Sequence, residues 1–451
     1  MATAYISRTL GTPTNAYKGT FSAWVKRGTV ATQHAFFSSS SDTNNKNQFY
    51  FTSGGALEFY GKTSSVANVY LQTTRLFRDP GAWYHIVLAW DTEQVTGTDR
   101  VKLYVNGTQY TWDAQTTQPA EDAVLRTNVS GETFMVGASQ GPADYFDGDM
   151  SHVQLVDGLQ LAPTEFGSVD STSGMWKIKP GAYATPGTNG FTLAMEDRTN
   201  LDLDSSSNAH TMTTSGTLTA TYDNPSNNFC TMNPLNRMGG SSPTWAYGNN
   251  TYTQGGSSQY YPAAGTIGLS AGLWYWEGTY NSSDSSLFGI AGDSSIAQNM
   301  VGTSNNYIGY TSEQWSLYTA SGLYYNGGST TSYGVAVAYG DIIGVYLDLT
   351  ANKLYFANNG TIMNSGTGIS ITAAASTPSG FYVPASCYYG GSNTFNFNFG
   401  NGYLATTAVT SAVADEGGYG AFEYDPSAGT FDGTSKDFRA ICTNNLKTYG
   451  G

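Results

Sequence analysis

The chain has 451 residues and a formal net charge of −14, enough length for two or three domains that bury their own cores without disulfides. Only 12% of its residues are charged, about half the usual ~25%. The acidic balance repels nucleic-acid phosphates and anionic bilayer surfaces, which excludes nucleic acid and membrane insertion and leaves neutral glycans or proteins with basic patches as partners.

Low charge can signal disorder, but aromatic residues make up 14% of the chain and fall at period-two spacings. That pattern predicts β-structure with uncharged Ser, Thr, Asn and Gly loops. The three cysteines, Cys230, Cys387 and Cys442, stand apart with no paired spacing, so zinc and a disulfide framework are not expected and buried thiols are. Met1 to Arg8 has no basic stretch followed by an apolar core, and no run of 18 apolar residues exists. Synthesis in a cytoplasm is the expectation.

In chain order, Phe21–Val25 alternates, then Gln48–Phe51 and Leu57–Phe59 follow. Trp83–Trp90 is a continuous apolar run of core-strand length. Val101–Val105 runs into Asn106-Gly107, a hairpin signal. Thr133–Val136 and Met150–Leu155 close a first strand-rich block over 1–167. From 168 to 245 the pattern thins to isolated anchors, Trp176, Phe191 and Phe229, and predicts an irregular connecting segment. A second block over 246–402 holds Leu273–Glu277, Leu287–Ile290, Asp341–Asp348, Lys353–Ala357 with the turn Asn358-Asn359-Gly360, and Phe395–Phe399 with three Phe on one face. Residues 403–451 form a Gly- and Asp-rich C-terminal segment. The fold class predicted is all-β, with two antiparallel β-sandwich domains of jelly-roll type.

Trp83–Trp90, Val101–Gly107 and Phe146-Asp-Gly-Asp-Met150 resemble laminin-G-like, concanavalin-type jelly rolls over 1–167. That resemblance implies glycan or protein binding. Leu273–Glu277, Gly289-Ile290-Ala291, Asp341–Asp348, Leu354–Phe356 and Asn358–Gly360 are similar to a SPRY (B30.2-like) sandwich over 246–402, which implies a protein-interaction module without catalysis. Phe146-Asp-Gly, Val156–Gly167, Asn189–Phe191 and Asp223–Phe229 resemble a recurrent pattern of marine phage tail-fibre and other virion surface proteins. The resemblances imply a virion-surface location, other virion proteins as partners and a homo-oligomer.

Chemistry-bearing motifs are sparse. A glycosidase on this fold places carboxylates at alternate strand positions, Glu-x-Asp-x-x-Glu, so that they share one cleft. The nearest approach, Glu423-Tyr-Asp425-Pro-Ser-Ala428, lacks the third carboxylate and contains Pro. His34, His85, His152 and His210 are scattered, and no nucleophile or metalloprotease motif occurs. His85 lies inside an apolar strand and reads as a satisfied sheet histidine. Asp144, Asp147 and Asp149, with Asp42–Asn45, offer oxygen ligands for calcium at a sandwich rim, against the alternative that they build turns. No other cofactor is expected. Tyr307, Tyr310, Trp315, Tyr318, Tyr324 and Tyr325 fall in a polar, nearly uncharged stretch, the composition of a recognition surface. The expectation is a non-enzymatic tail-fibre or receptor-binding component that adheres to host glycan or protein. The alternatives are a capsid decoration protein and a polysaccharide-degrading enzyme.

Overall fold

The computed structural model describes residues 3–113, 116–237, 243–254, 260–281, 286–292 and 307–450. Strands make up 45% of it and helices 6%, as the alternation predicts. The chain divides into two compact units, residues 1–220 and 221–451.

In the first unit the strands run β1 (Tyr5–Thr9), β2 (Lys18–Arg27), β3 (His34–Asp42), β4 (Asn45–Phe51), β5 (Ala56–Thr63), β6 (Val66–Leu76) and β7 (Tyr84–Asp91). There follow β8 (Val101–Val105), β9 (Thr108–Tyr110), β10 (Thr133–Val136), β11 (Gly148–Asp157), β12 (Gly167–Val169), β13 (Trp176–Ile178), β14 (Phe191–Leu193) and β15 (Thr213–Ser215). They form a seven-stranded sheet, β15-β1-β10-β3-β4-β5-β6, and a six-stranded sheet, β14-β11-β2-β7-β8-β9. The register aligns Phe49 with Phe59 and Leu71 on one sheet and Phe21 with Leu88 on the other. All five are fully buried in one cluster. The turn Asn106-Gly107 links β8 to β9 as its sequence predicts, both residues having positive φ.

In the second unit the strands are β16 (Met232–Arg237), β17 (Thr244–Ala246), β18 (Thr251–Gln254), β19 (Ala263–Gly265), β20 (Leu273–Tyr280), β21 (Ser286–Ala291) and β22 (Gln314–Tyr318). They continue with β23 (Leu323–Asn326), β24 (Ser329–Ser332), β25 (Ile343–Asp348), β26 (Lys353–Asn358), β27 (Thr361–Ile362), β28 (Ile369–Ser370), β29 (Val383–Tyr388) and β30 (Asn393–Asn398). A seven-stranded sheet, β16-β19-β29-β21-β22-β23-β24, packs on a nine-stranded one whose path is β17-β18-β30-β20-β25-β26-β27. Between them lie Trp274, Trp276, Phe288, Ile290, Leu317, Val345, Leu347, Phe356, Phe395, Phe397 and Phe399. The three Phe of β30 and the turn after it share one face, as their alternation requires, and Phe397 and Phe399 stack at 5.5 Å.

Residues 168–245, read above as a connecting segment, are shared between the units. β14 pairs with β11 and β15 with β1 in the first, while Phe229, Cys230 and Met232 are buried in the second. The isolated apolar anchors are too sparse to nucleate a core of their own: Phe191 joins the six-stranded sheet, Trp176 lies in the separate pair β12-β13, and Phe229 packs into an existing cluster. Residues 403–451 are likewise built in. Phe422, Phe431 and Phe438 pack with Tyr275, Tyr346 and Tyr355 on the outer face of the nine-stranded sheet. Tyr275 meets Phe422 at 4.8 Å and Tyr346 meets Phe431 at 4.9 Å. Among the described residues no helix is long and apolar enough to cross a membrane.

Candidate binding surface

β21, β22 and β29 send alternate side chains to opposite faces. Phe288, Ile290, Trp315 and Leu317 point into the sandwich core. Leu287, Ala291, Ala385 and Cys387 point outward, together with Ala264 of β19 and Ile308. Gly289 shares their face, and a Cβ there would lie 1.9 Å from the Trp315 carbonyl oxygen. The outward floor is thus made of small and aliphatic side chains, and tyrosines lie over it.

The rings form a continuous belt. Tyr389 meets Tyr260 at 4.9 Å, Tyr260 meets Tyr307 at 5.2 Å, and Tyr307 meets Tyr325 at 5.0 Å and Tyr310 at 5.6 Å. Tyr325 then meets Tyr318 at 5.6 Å. The last three contacts are edge-to-face, which suits the ring quadrupoles. Tyr310 and Tyr389 are each 44% exposed, while Tyr260, Tyr307, Tyr318 and Tyr325 are half-buried. Burial raises the hydroxyl pKa of Tyr260, Tyr307 and Tyr325, and neighbouring groups raise them further. Those phenols therefore stay neutral at physiological pH and can both donate and accept hydrogen bonds.

Backbone bonds hold the segment that carries Tyr307 and Tyr310. The Gly309 N–H donates to Gln314 Oε1 at 3.0 Å. Gly327 N–H donates to the Thr311 carbonyl and Gly328 N–H to the Gly309 carbonyl, both at 3.0 Å. Ser316 Oγ donates to the Ile308 carbonyl, and Asn326 Nδ2 reaches the Ser312 carbonyl at 3.0 Å. Gly309 has φ of 105°, and a Cβ there would meet the Tyr325 Cβ at 2.5 Å. Only glycine allows the segment to lie this close to β23.

The structure corrects two of the six aromatic candidates. Trp315 is 4% exposed and meets Tyr382 edge-on at 5.8 Å inside the core. Tyr324 packs against that same core and faces Tyr333 at 6.3 Å. Both alternate with belt residues along their strands, so they point the other way. Tyr307, Tyr310, Tyr318 and Tyr325 come together as expected. Tyr260 and Tyr389, which sequence reasoning missed, are joined to them by β-pairing, through the bridge Tyr260–Tyr389 at the end of the sheet.

The calcium candidates do not converge. Asp144 Oδ2 accepts from Ser139 Oγ at 2.8 Å and Gln33 Nε2 at 3.2 Å. The Asp147 N–H donates to His34 Nδ1 at 3.2 Å, and Asp149 stands opposite Lys26 in β11. Asp42 Oδ1 accepts the Asn44 and Asn45 N–H groups at 2.6 and 2.9 Å, which is turn chemistry. Among the described residues no group of three or more His, Cys, Asp or Glu side chains is placed to hold a metal ion. The carboxylates of Glu423 and Asp425 bind neighbouring loop groups, Thr410 and Ser427 respectively. His85 is a satisfied sheet histidine: Nε2 lies 2.9 Å from Ser22 Oγ, and Nδ1 accepts from Trp176 Nε1 at 2.9 Å. All three cysteines are buried free thiols.

These features define an all-β protein of two sandwich modules with an aromatic, uncharged surface on the second. Family profiles place the modules. Residues 2–165 match the concanavalin A-like lectin/glucanases superfamily, and residues 273–402 match the SPRY domain. The chain therefore contains a concanavalin A-like domain and a SPRY domain. No curated protein matches it. Among solved structures, the SPRY domain of human HERC1 is similar at 18% identity over 37% of this chain and 96% of that one, with a TM-score of 0.28. A SAP-like pentraxin from Limulus polyphemus is similar at 18% identity over 42% and 86%, with a TM-score of 0.29.

Proposed function

We propose that this chain is a non-enzymatic phage virion surface protein, a tail-fibre or receptor-binding component that adheres to host surface glycan or protein. The tyrosine belt carries the reading. It offers rigid, flat, amphipathic area without charge, and such rings stack on sugars while their hydroxyls bond to them. Exposed aromatic patches on a folded protein mark interaction sites. A homo-oligomer at the virion surface, beside other virion proteins, would turn individually weak contacts into firm adhesion.

The test is Tyr310→Ala with Tyr389→Ala, which removes the two most exposed rings. Each ring gives up one aromatic contact worth about 0.5–1.5 kcal/mol, so the variant should lose roughly 1–3 kcal/mol and remain folded, which circular dichroism checks. Binding to host cells, and to an array of bacterial surface polysaccharides, should fall at least about tenfold, the equivalent of ~1.4 kcal/mol. Unchanged binding by this folded variant would overturn the receptor-binding reading. Loss of the protein from assembled particles, with cell binding intact, would instead favour a capsid decoration role.

A further inference from the structure

The two edges of the seven-stranded sheet in the second unit differ. β16, at one edge, carries Pro234 and Arg237, and its register with β19 is interrupted between Met232 and Arg237. Proline, charge and irregular pairing are the usual protections of a sheet edge against another chain. β24, at the other edge, has none of them. It is Ser329-Thr-Thr-Ser332, all four residues are exposed, and it pairs with β23 in unbroken register. No charged residue occurs from Gln314 to Gly340.

We propose that β24 is the site at which a second copy of this chain adds, joining two seven-stranded sheets edge to edge. Three observations select a second copy over an unrelated peptide. The strand is palindromic, so an antiparallel pair about a two-fold axis sets Ser329 opposite Ser332 of the partner subunit and Thr330 opposite Thr331 of the partner subunit. Threonine pairs across strands are among the favourable ones, and a two-fold interface uses the same patch twice. The chain carries −14 overall, so two copies repel unless they meet where charge is absent. Val335, three residues beyond the strand, is 63% exposed and extends the contact beyond a four-residue ladder. An interface of this size gives a weak, concentration-dependent dimer. This surface specifies the oligomer of the proposed function, on which it otherwise does not depend.

The experiment is sedimentation equilibrium of the full chain over a concentration series, for the wild type and for Thr330→Lys with Thr331→Lys. Both positions are exposed, and circular dichroism verifies folding. The wild type should associate reversibly, and the lysine pair, which sets like charges opposite one another, should raise the dissociation constant at least about 30-fold. Register is read separately by oxidative cross-linking. A mixture of Thr330→Cys and Thr331→Cys chains should cross-link faster than either alone, and the three native thiols are buried. A wild type that remains monomeric, a dimer indifferent to the lysines, or same-position pools that cross-link as fast as the mixture would each overturn the proposal. The lysine pair leaves the belt rings in place, so failure here and failure of the ring-deletion test are separable.

Discussion

The second unit presents two outer sheet faces that the chain treats differently. The nine-stranded face is sealed by residues 415–442, which bring Phe422, Phe431 and Phe438 onto its tyrosines. Buried carboxylates lock that cover. Asp415 accepts the N–H groups of Gly417, Tyr419, Gly420 and Ala440 at 3.1, 2.9, 2.6 and 3.1 Å, and Asn445 Nδ2 at 2.8 Å. Glu277, on β20, accepts the Glu423 and Tyr424 N–H groups at 3.0 and 2.8 Å and Asn398 Nδ2 at 3.0 Å. Lys436 Nζ reaches Asp348 at 2.5 Å. The seven-stranded face has instead half-buried tyrosines over small and aliphatic residues, with the outermost rings partly in solvent. A covered face is part of the fold, whereas a face of neutral rings left partly open is available for contact.

The largest effect expected is on the cover. Asp415→Ala removes the acceptor of three buried donors, the Gly420 and Ala440 N–H groups and Asn445 Nδ2, and of two part-buried ones, and at roughly 1.5 kcal/mol or more for each buried bond to a charged acceptor the loss should reach about 5 kcal/mol in denaturant unfolding. Limited proteolysis should then cut within 403–442 first. A loss under about 1 kcal/mol would mean that the apolar cover alone holds the segment.

The two sides of the seven-stranded sheet give the next contrast. Trp315→Ala, on the core side of β22, should cost about 3–5 kcal/mol, more than either the Tyr310 or the Tyr389 deletion on the outer side. Comparable costs at the two faces would erase the distinction drawn between them.

The third effect is on pH dependence. Burial pushes the Glu277 carboxyl up to about 7, despite the N–H groups that favour its charged form. Its unfolded value is near 4.5, so the folded state binds the extra proton. The stability that this proton linkage adds is complete below about pH 4.5 and is lost as pH rises through about 7. The swing is on the order of 3 kcal/mol. Urea midpoints measured from pH 4.5 to 8 should fall across this window in the wild type, and this slope should vanish in Glu277→Gln. An identical slope in the variant would assign the dependence to another group.

Four of the six belt tyrosines were legible in the sequence because Tyr307, Tyr310, Tyr318 and Tyr325 lie within one short stretch of nearly uncharged neighbours. Trp315 and Tyr324 share that stretch, and only strand register separates them from the belt, since one position along a strand reverses a side chain. Tyr260 and Tyr389 were invisible because strand pairing, not proximity in the chain, places them there. The cover on the nine-stranded face had a signal. Leu273-Trp-Tyr-Trp276 and Ile342–Leu347 show no polar alternation, which marks strands buried on both faces. The Gly-rich composition after residue 403 concealed the three phenylalanines that do the covering.

What the sequence by itself determined is the all-β class, the two modules and the hairpin turns, because alternation, apolar runs and Asn-Gly pairs act over a few residues. What only the tertiary structure decided is which sheet faces are closed by the chain's own segments and which edge is bare. Those outcomes depend on pairings between residues far apart in sequence, whose free energy comes from shared burial and from buried donors meeting buried carboxylates, and no local pattern encodes such a sum.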